Sequence, residues 1–206
     1  MSAHLPFVVC FEVEPTVQGF DRYLAIAKDL RPALDHIPGF ESIERSRSRN
    51  HDTRLLSLSY WADEAAIVAW RSHGAHHEAQ IIGRNELFVD YRLRIGQVVR
   101  RWTPQNVTTS ERSGPGASWL GIMRIDDNGA PHDRFPGFER YESMVNPGRA
   151  FLVGGLANED SSRSIEAELT ASSGARMVFD TCRVLRDYGR FERTEAPQHF
   201  PSIARP

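Results

Sequence analysis

The chain has 206 residues, 40% hydrophobic and 25% charged, with a formal net charge of -2 at pH 7. This is the composition of a folded globular protein, which excludes disorder over its whole length, and the near-neutral charge gives no reason to expect nucleic acid or an anionic membrane as a main partner. Its two cysteines, Cys10 and Cys182, lie far apart without zinc-site spacing, which excludes a disulfide framework and a cysteine-ligated metal.

From the N-terminus, Met1 to Pro6 carries no basic region followed by an apolar one, so no signal peptide is expected. No run approaches the roughly 18 apolar residues of a membrane span. The expectation is therefore a cytoplasmic protein with both thiols reduced. Phe7 to Val13 is a β-branched and aromatic run between prolines, a first strand. Phe20, Tyr23, Leu24, Ala27, Leu30 and Leu34 then fall at three- and four-residue steps, one apolar stripe of a helix that Pro32 would kink near its end. Pro38-Gly39 predicts a turn.

Phe40 to Arg47 and Arg54 to Trp61 read as a hairpin around a polar tip, Ser48 to Thr53. In its second strand Leu56, Leu58 and Tyr60 alternate with Leu55, Ser57, Ser59 and Trp61, so one face is apolar and the other small and partly polar. Asp63 and Glu64 suit the first turn of a helix reaching about Ile82, with Gly83 as its stop. Leu87 to Trp102 is a long strand, with Tyr91, Leu93 and Ile95 on one face and Asp90, Arg92 and Arg94 on the other.

The order β-α-β-β-α-β is the split arrangement of ferredoxin-like α+β folds, with two helices on one face of an antiparallel sheet. A polar stretch without periodicity follows, which sets the expected organisation as residues 1–103 for a first domain, 104–116 for a linker and 117–206 for a second domain. The second part repeats fragments of the first: Pro38-Gly39-Phe40-Glu41 recurs as Pro136-Gly137-Phe138-Glu139, and Val98 to Trp102 as Val184 to Tyr188. Such self-similarity at a shrinking offset points to a degenerate tandem repeat. After a strand from Ser118 to Ile125, too few residues precede Pro136 for a first helix, so the second copy lacks it; a short helix is expected from Ser161 to Ala171.

The stretches PGFESIERSRS, LLSLSYWADEAAIVAWRSHGAHHEAQ and GRNELFVDYRLRIGQVVR together resemble the antibiotic biosynthesis monooxygenase (ABM) family, and VLRDYGRFERTEAP resembles a tail often seen on single-domain members. The resemblance implies an α/β barrel of two facing four-stranded sheets with the helices outside. The barrel would form by internal pairing of the two halves or, alternatively, in a homodimer. The sheet face away from the helices then becomes barrel interior, and Ser57, Ser59, Asp90, Arg92 and Arg94 are expected on it, around a pocket between the sheets.

The second helix carries Trp70, His73, His76 and His77. Positions 70, 73 and 77 of a continuous helix share one face, so Trp70, His73 and His77 are the candidate catalytic residues. Their plain structural reading is a core tryptophan with solvated histidines. Histidine is nonetheless suited to proton abstraction near neutral pH. The family resemblance implies oxidation of a phenolic or polycyclic aromatic small molecule by O2, and, with no Gly-rich dinucleotide loop or metal motif present, this chemistry is expected to need no cofactor. The substrate would be deprotonated in a dry pocket and bound by His76, Arg84, Tyr91, Arg92, Ser57 and Ser59. Two alternatives remain: a non-catalytic small-molecule-binding or structural barrel, and haem binding or degradation. Against haem, Gln80 stands near the place where relatives carry the ligating histidine, and Cys10 and Phe11 stand where an asparagine is looked for.

Overall fold

A computed structural model of the protein describes residues 4–110, 118–126, 135–171, 176–197, 200 and 203. In the first half, strand β1 (Phe7–Pro15) leads through helices α1 (Phe20–Asp29) and α2 (Arg31–Asp35) to the hairpin β2 (Phe40–Ser48) and β3 (Leu55–Trp61). Pro32 sits in the first turn of α2, where its missing N–H costs nothing, so the expected kink is a clean break between two helices. Gly39 turns the chain into β2 at φ +83°, a conformation that favours glycine. Helices α3 (Glu64–Arg71) and α4 (Gly74–Ile82) follow, then a π-helical turn at Gly83–Leu87 and the long strand β4 (Phe88–Trp102).

A short strand, β5 (Val107–Thr109), forms in the segment expected to be a linker, whose remainder from 111 to 116 lies outside the described residues. The second half contributes β6 (Trp119–Ile125), β7 (Phe138–Ser143), β8 (Ala150–Leu156), α5 (Ser161–Ala171) and β9 (Met177–Gly189). Pro136-Gly137 opens β7 as Pro38-Gly39 opens β2, with Gly137 at φ +86°. The segment between β6 and β7, where no helix is expected, falls at 127–134 outside the described residues.

The strands run β1-β3-β2-β7-β8-β6-β9-β4, and β4 returns to pair with β1, so the sheet closes into an eight-stranded antiparallel barrel with β5 appended to β4. Both halves of the one chain build it. One seam is long, from Arg92↔Gly189 to Trp102↔Phe179; the other has three register pairs, Ser46↔Ser143 to Ser48↔Tyr141. Arg101 forks onto Asp180 across the long seam at 2.6 and 2.8 Å, and at the short seam Glu139 accepts from Ser48 at 2.6 Å and Arg54 at 3.1 Å.

An eight-stranded barrel is about wide enough for side chains to fill or for one small ligand. Here side chains take the centre: Val8, Cys10, Leu56, Leu58, Val98, Leu120, Ile122, Tyr141, Phe151 and Cys182 form one buried cluster drawn from both halves. Burial keeps the Cys10 thiol protonated, its pKa pushed up to about 12. Glu12 crosses this interior, accepting from the Tyr141 hydroxyl at 2.7 Å and from the Arg94 guanidinium. The outer face of the first half is coated by α1 to α4 over two further clusters, and that of the second half by α5 over Met123, Ile125, Leu152 and Phe179.

The pocket expected between the sheets is therefore absent from the middle of the barrel, and the space left between them is confined to a mouth. The reason is packing: once eight strands close at this radius, inward side chains meet across the axis. Parity is corrected with it. Ser57 and Ser59 pair with Phe11 and Val9 and face the helices, while Arg92 and Arg94 do lie on the interior parity, Arg92 forking onto Asp187 at 2.9 and 2.6 Å.

Removing the Glu12 carboxylate strands a guanidinium that is 8% exposed. Glu12→Ala should cost about 3–5 kcal/mol in denaturant unfolding, whereas Glu12→Gln, which still accepts from Tyr141, should lose less. Equal losses for the two would contradict the role given to this pair.

Candidate functional site

Between the helix-coated face of the first half and helices α1, α3 and α4 lies a cavity of about 210 Å³. That exceeds the ~150 Å³ of an engineered cavity that takes benzene and falls below the ~300–1,000 Å³ usual for drug-sized ligands, so the space suits a small molecule. Its floor is a row across the sheet, since Arg45 is level with Ser57, Ser57 with Phe11, Phe11 with Leu93 and Leu93 with Tyr188. Most of the walls are apolar: Leu30, Leu34, Ile67, Leu87 and Ile95 line it with Trp61 and Trp70.

The expected single helix over 63–82 is two. Asp63 caps α3, accepting from the Ala66 N–H at 2.8 Å. The helix then stops at Ser72, and His73 takes an extended conformation with ψ 127° before α4 starts. This break re-aims the cluster. His76, which a continuous helix would turn away from Trp70, stacks on the indole with ring centres 4.2 Å apart and planes at 14°. His76 lines the cavity; His73 and His77 do not. His73 lies 5.6 Å from Trp70 with its Nδ1 buried and lacking a hydrogen-bond partner, and His77 is exposed beside Phe200.

His76 Nδ1 is 2.9 Å from the Trp70 carbonyl, which can only accept, so this nitrogen carries the proton and Nε2 keeps a lone pair. The Gln80 amide nitrogen, 3.1 Å from the same Nδ1, has its own acceptor in the Arg71 carbonyl at 3.3 Å. Burial lowers the His76 pKa to about 4, outweighing the Trp70 carbonyl that raises it. The imidazole is thus neutral near pH 7, with the Nε2 lone pair open to accept a hydrogen bond or a proton, and is a weaker base than an exposed histidine.

In another part of the lining the π turn buries Arg84, and Gly83 leaves the room that Phe88 fills, since a Cβ there would meet the ring. Arg84 donates to the Arg190 carbonyl at 2.6 Å and to the Tyr91 hydroxyl at 3.2 Å. Arg193 donates to the same hydroxyl at 3.0 Å. With both phenolic acceptor positions taken, the Tyr91 O–H is left to donate. Tyr188, Arg193 and Phe200, all from the second half and its tail, complete this wall.

Of the residues expected at the site, Trp70, His76, Arg84, Tyr91, Ser57 and Ser59 line this cavity, and His73, His77 and Arg92 lie outside it. Tyr91 was expected to face the helices, and that is the face on which the cavity opens. Residues not foreseen are Arg45, Tyr23, Arg71, Arg193 and Phe200. A second cavity, of about 230 Å³, sits at a barrel mouth. Its charges are largely matched: Asp180 holds Arg101 and the Tyr60 hydroxyl (3.0 Å), and Glu44 holds Arg149 (2.8 Å).

A histidine whose pKa falls from 6.5 unfolded to about 4 folded binds fewer protons in the native state across that interval. Its stability contribution is complete above pH 6.5 and declines as pH drops toward 4. Between pH 7 and 4.5 this group should cost on the order of 2–3 kcal/mol. His76→Gln should remove that part of the pH dependence, measured as denaturant midpoints at both pH values.

Residues 6–81 match the family model described as antibiotic biosynthesis monooxygenase. A relative from Pyricularia oryzae, jasmonate monooxygenase ABM, is 35% identical over 220 aligned positions that cover 95% of this chain and 98% of that protein. The uncharacterized protein YqjZ of Bacillus subtilis is 36% identical over 31% of this chain and 54% of its own length. A crystal structure from Lactobacillus acidophilus is 10% identical, covers 89% of this chain and 95% of that one, and has a TM-score of 0.44. Among the described residues no helix is long and apolar enough to cross a membrane. With 35% identity over nearly the full length of both chains to a named ABM protein, and a family match over residues 6–81, the chain belongs to the antibiotic biosynthesis monooxygenase family.

Proposed function

We propose that the protein is a cofactor-independent monooxygenase that oxidises a small, electron-rich organic molecule in the helix-side cavity of its first half. One observation carries this: a neutral imidazole, packed on an indole, shares a mostly apolar cavity with a phenol that two guanidinium groups hold as a donor. The base is His76, in place of His73 and His77, because it lines the cavity with Nε2 unprotonated. Trp70 and the Trp70 carbonyl fix its ring and tautomer.

Without a redox cofactor the substrate must supply all four electrons that O2 takes up. A carbon acid or phenol bearing an activated CH2 can do this: the CH2 becomes C=O, one oxygen atom enters the product and the other leaves as water. His76 would remove the first proton, and the Tyr91 O–H, polarised by Arg84 and Arg193, would hydrogen-bond the developing oxyanion. Exclusion of water by the apolar walls strengthens that bond. Ser57 and Ser59 sit on the cavity floor, Ser59 already accepting from the Trp61 indole at 2.9 Å. The cavity volume favours a phenol or ketone of one or two rings over a larger polycycle. Jasmonate, which names the Pyricularia relative, heads the substrates to try.

An oxygen electrode with jasmonate, anthrone and small hydroquinones, in metal-free buffer without added cofactor, tests the reading. Uptake should match product one to one. His76→Ala should lower kcat by about 10²–10⁴-fold, and Tyr91→Phe by about 10–100-fold; unaltered turnover in His76→Ala would remove the proposal.

A further inference from the structure

We infer that the cavity is built for an amphipathic anion, with Arg45 as the anchor for a carboxylate remote from the reacting end. The inference rests on the cavity being the ligand site proposed above, but not on any oxidation taking place there.

The described lining residues include four arginines, Arg45, Arg71, Arg84 and Arg193, and no aspartate or glutamate. His76 adds no charge to this lining near pH 7, so the described lining is cationic. Arg45 differs from several of the protein's enclosed arginines, which meet carboxylates. Arg94 meets Glu12, Arg100 meets Glu166, Arg101 meets Asp180 and Arg149 meets Glu44 and Asp126. Among the described residues Arg45 has no carboxylate within ion-pair distance, and its Nε is buried without a hydrogen-bond partner. Tyr23 and Ser57 are its polar neighbours: burial raises the Tyr23 pKa, and Arg45 beside the hydroxyl pulls it back down.

Holding a guanidinium in apolar surroundings without a counter-ion is costly, and a bound carboxylate removes that cost by accepting two parallel N–H bonds. Its place sets the length of the ligand. Arg45 is on β2, and β3 and β1 lie between it and β4, which carries Tyr91. Three strand steps put the two ends about 14 Å apart along the sheet, less the curvature. Between them the floor is Ser57 beside Arg45 and then the apolar Phe11, with Leu93 on β4. The ligand class is therefore an extended apolar acid, its carboxylate on β2 and its oxidisable end beside His76.

Octanoate and its neutral isostere octanamide are the probes, with binding to the full chain followed at pH 7.5 by tryptophan fluorescence and calorimetry. The intact protein should bind octanoate at least about tenfold tighter than octanamide. Arg45→Met should erase that preference while leaving octanamide affinity within about twofold, and Arg45→Lys should retain part of it. The inference is overturned if octanoate does not bind, if octanamide binds equally well, or if Arg45→Met keeps the preference and Arg84→Met loses it. Thermal melts monitor folding, and should Arg45→Met not fold, the octanoate and octanamide affinities of the intact protein still decide. Selective octanoate binding together with no oxygen uptake on any substrate would sink the proposed oxidation and leave this anchor standing.

Discussion

The architecture depends on one strand satisfied along both edges. β4 pairs with β1 on one side and with β9 on the other, so the last edge of the first half becomes an inner strand of a closed sheet. Backbone groups that would otherwise invite another chain are used up in the barrel. Closure also decides where a ligand can go. Because the centre of eight strands is occupied by side chains from both halves, the mostly apolar room for a small molecule lies outside the sheet, under the helices, and the space left between the strands is a charged one at a barrel mouth. The cavity is thus a by-product of how the barrel fills.

Two local departures from regular helix place the polar groups of that cavity. The extended residue between α3 and α4 swings an imidazole onto the Trp70 indole, and the π turn before β4 sinks Arg84 toward Tyr91. Interruptions of this kind are common at functional sites because they direct a side chain where regular geometry would not. The remaining wall arrives from more than a hundred residues away, as Arg190 and Arg193 reach back to β4 and the π turn. The cavity of the first half is therefore completed by the tail of the second.

Much of the frame is legible in the sequence. Alternation and bounding prolines place β1, β2, β3, β4 and β6 within two residues of their ends, and the short helix from Ser161 to Ala171 is found with those ends. The side of the sheet on which the site opens is not legible. In a closed barrel under a helical coat both faces of β3 are buried, so the serines at 57 and 59 mark the odd face without saying what lies against it. The choice among histidines fails for a related reason. No proline announces the stop at Ser72, and a helix drawn through it assigns the wrong azimuth to every later position. Arg45 and Arg193 send no local signal at all, because an arginine in a strand or tail is ordinary until its distant neighbours are known. The fold could be read from periodicity, whereas the site is made of contacts that periodicity does not encode.

Two equal sheets brought together as separate copies would be tied by a twofold axis, and each side-chain change would appear twice, once at either interface. Linking unlike halves in one polypeptide lifts that restriction. The seam at β2 and β7 can be short and charged while the one at β4 and β9 is long, and neither constrains the other. A substitution on β8 perturbs a single wall, so the half without the cavity is free to vary as long as it still completes the sheet and supplies the tail. Sequence drift in such a protein should be lopsided, concentrated on the outer surface of the scaffold half.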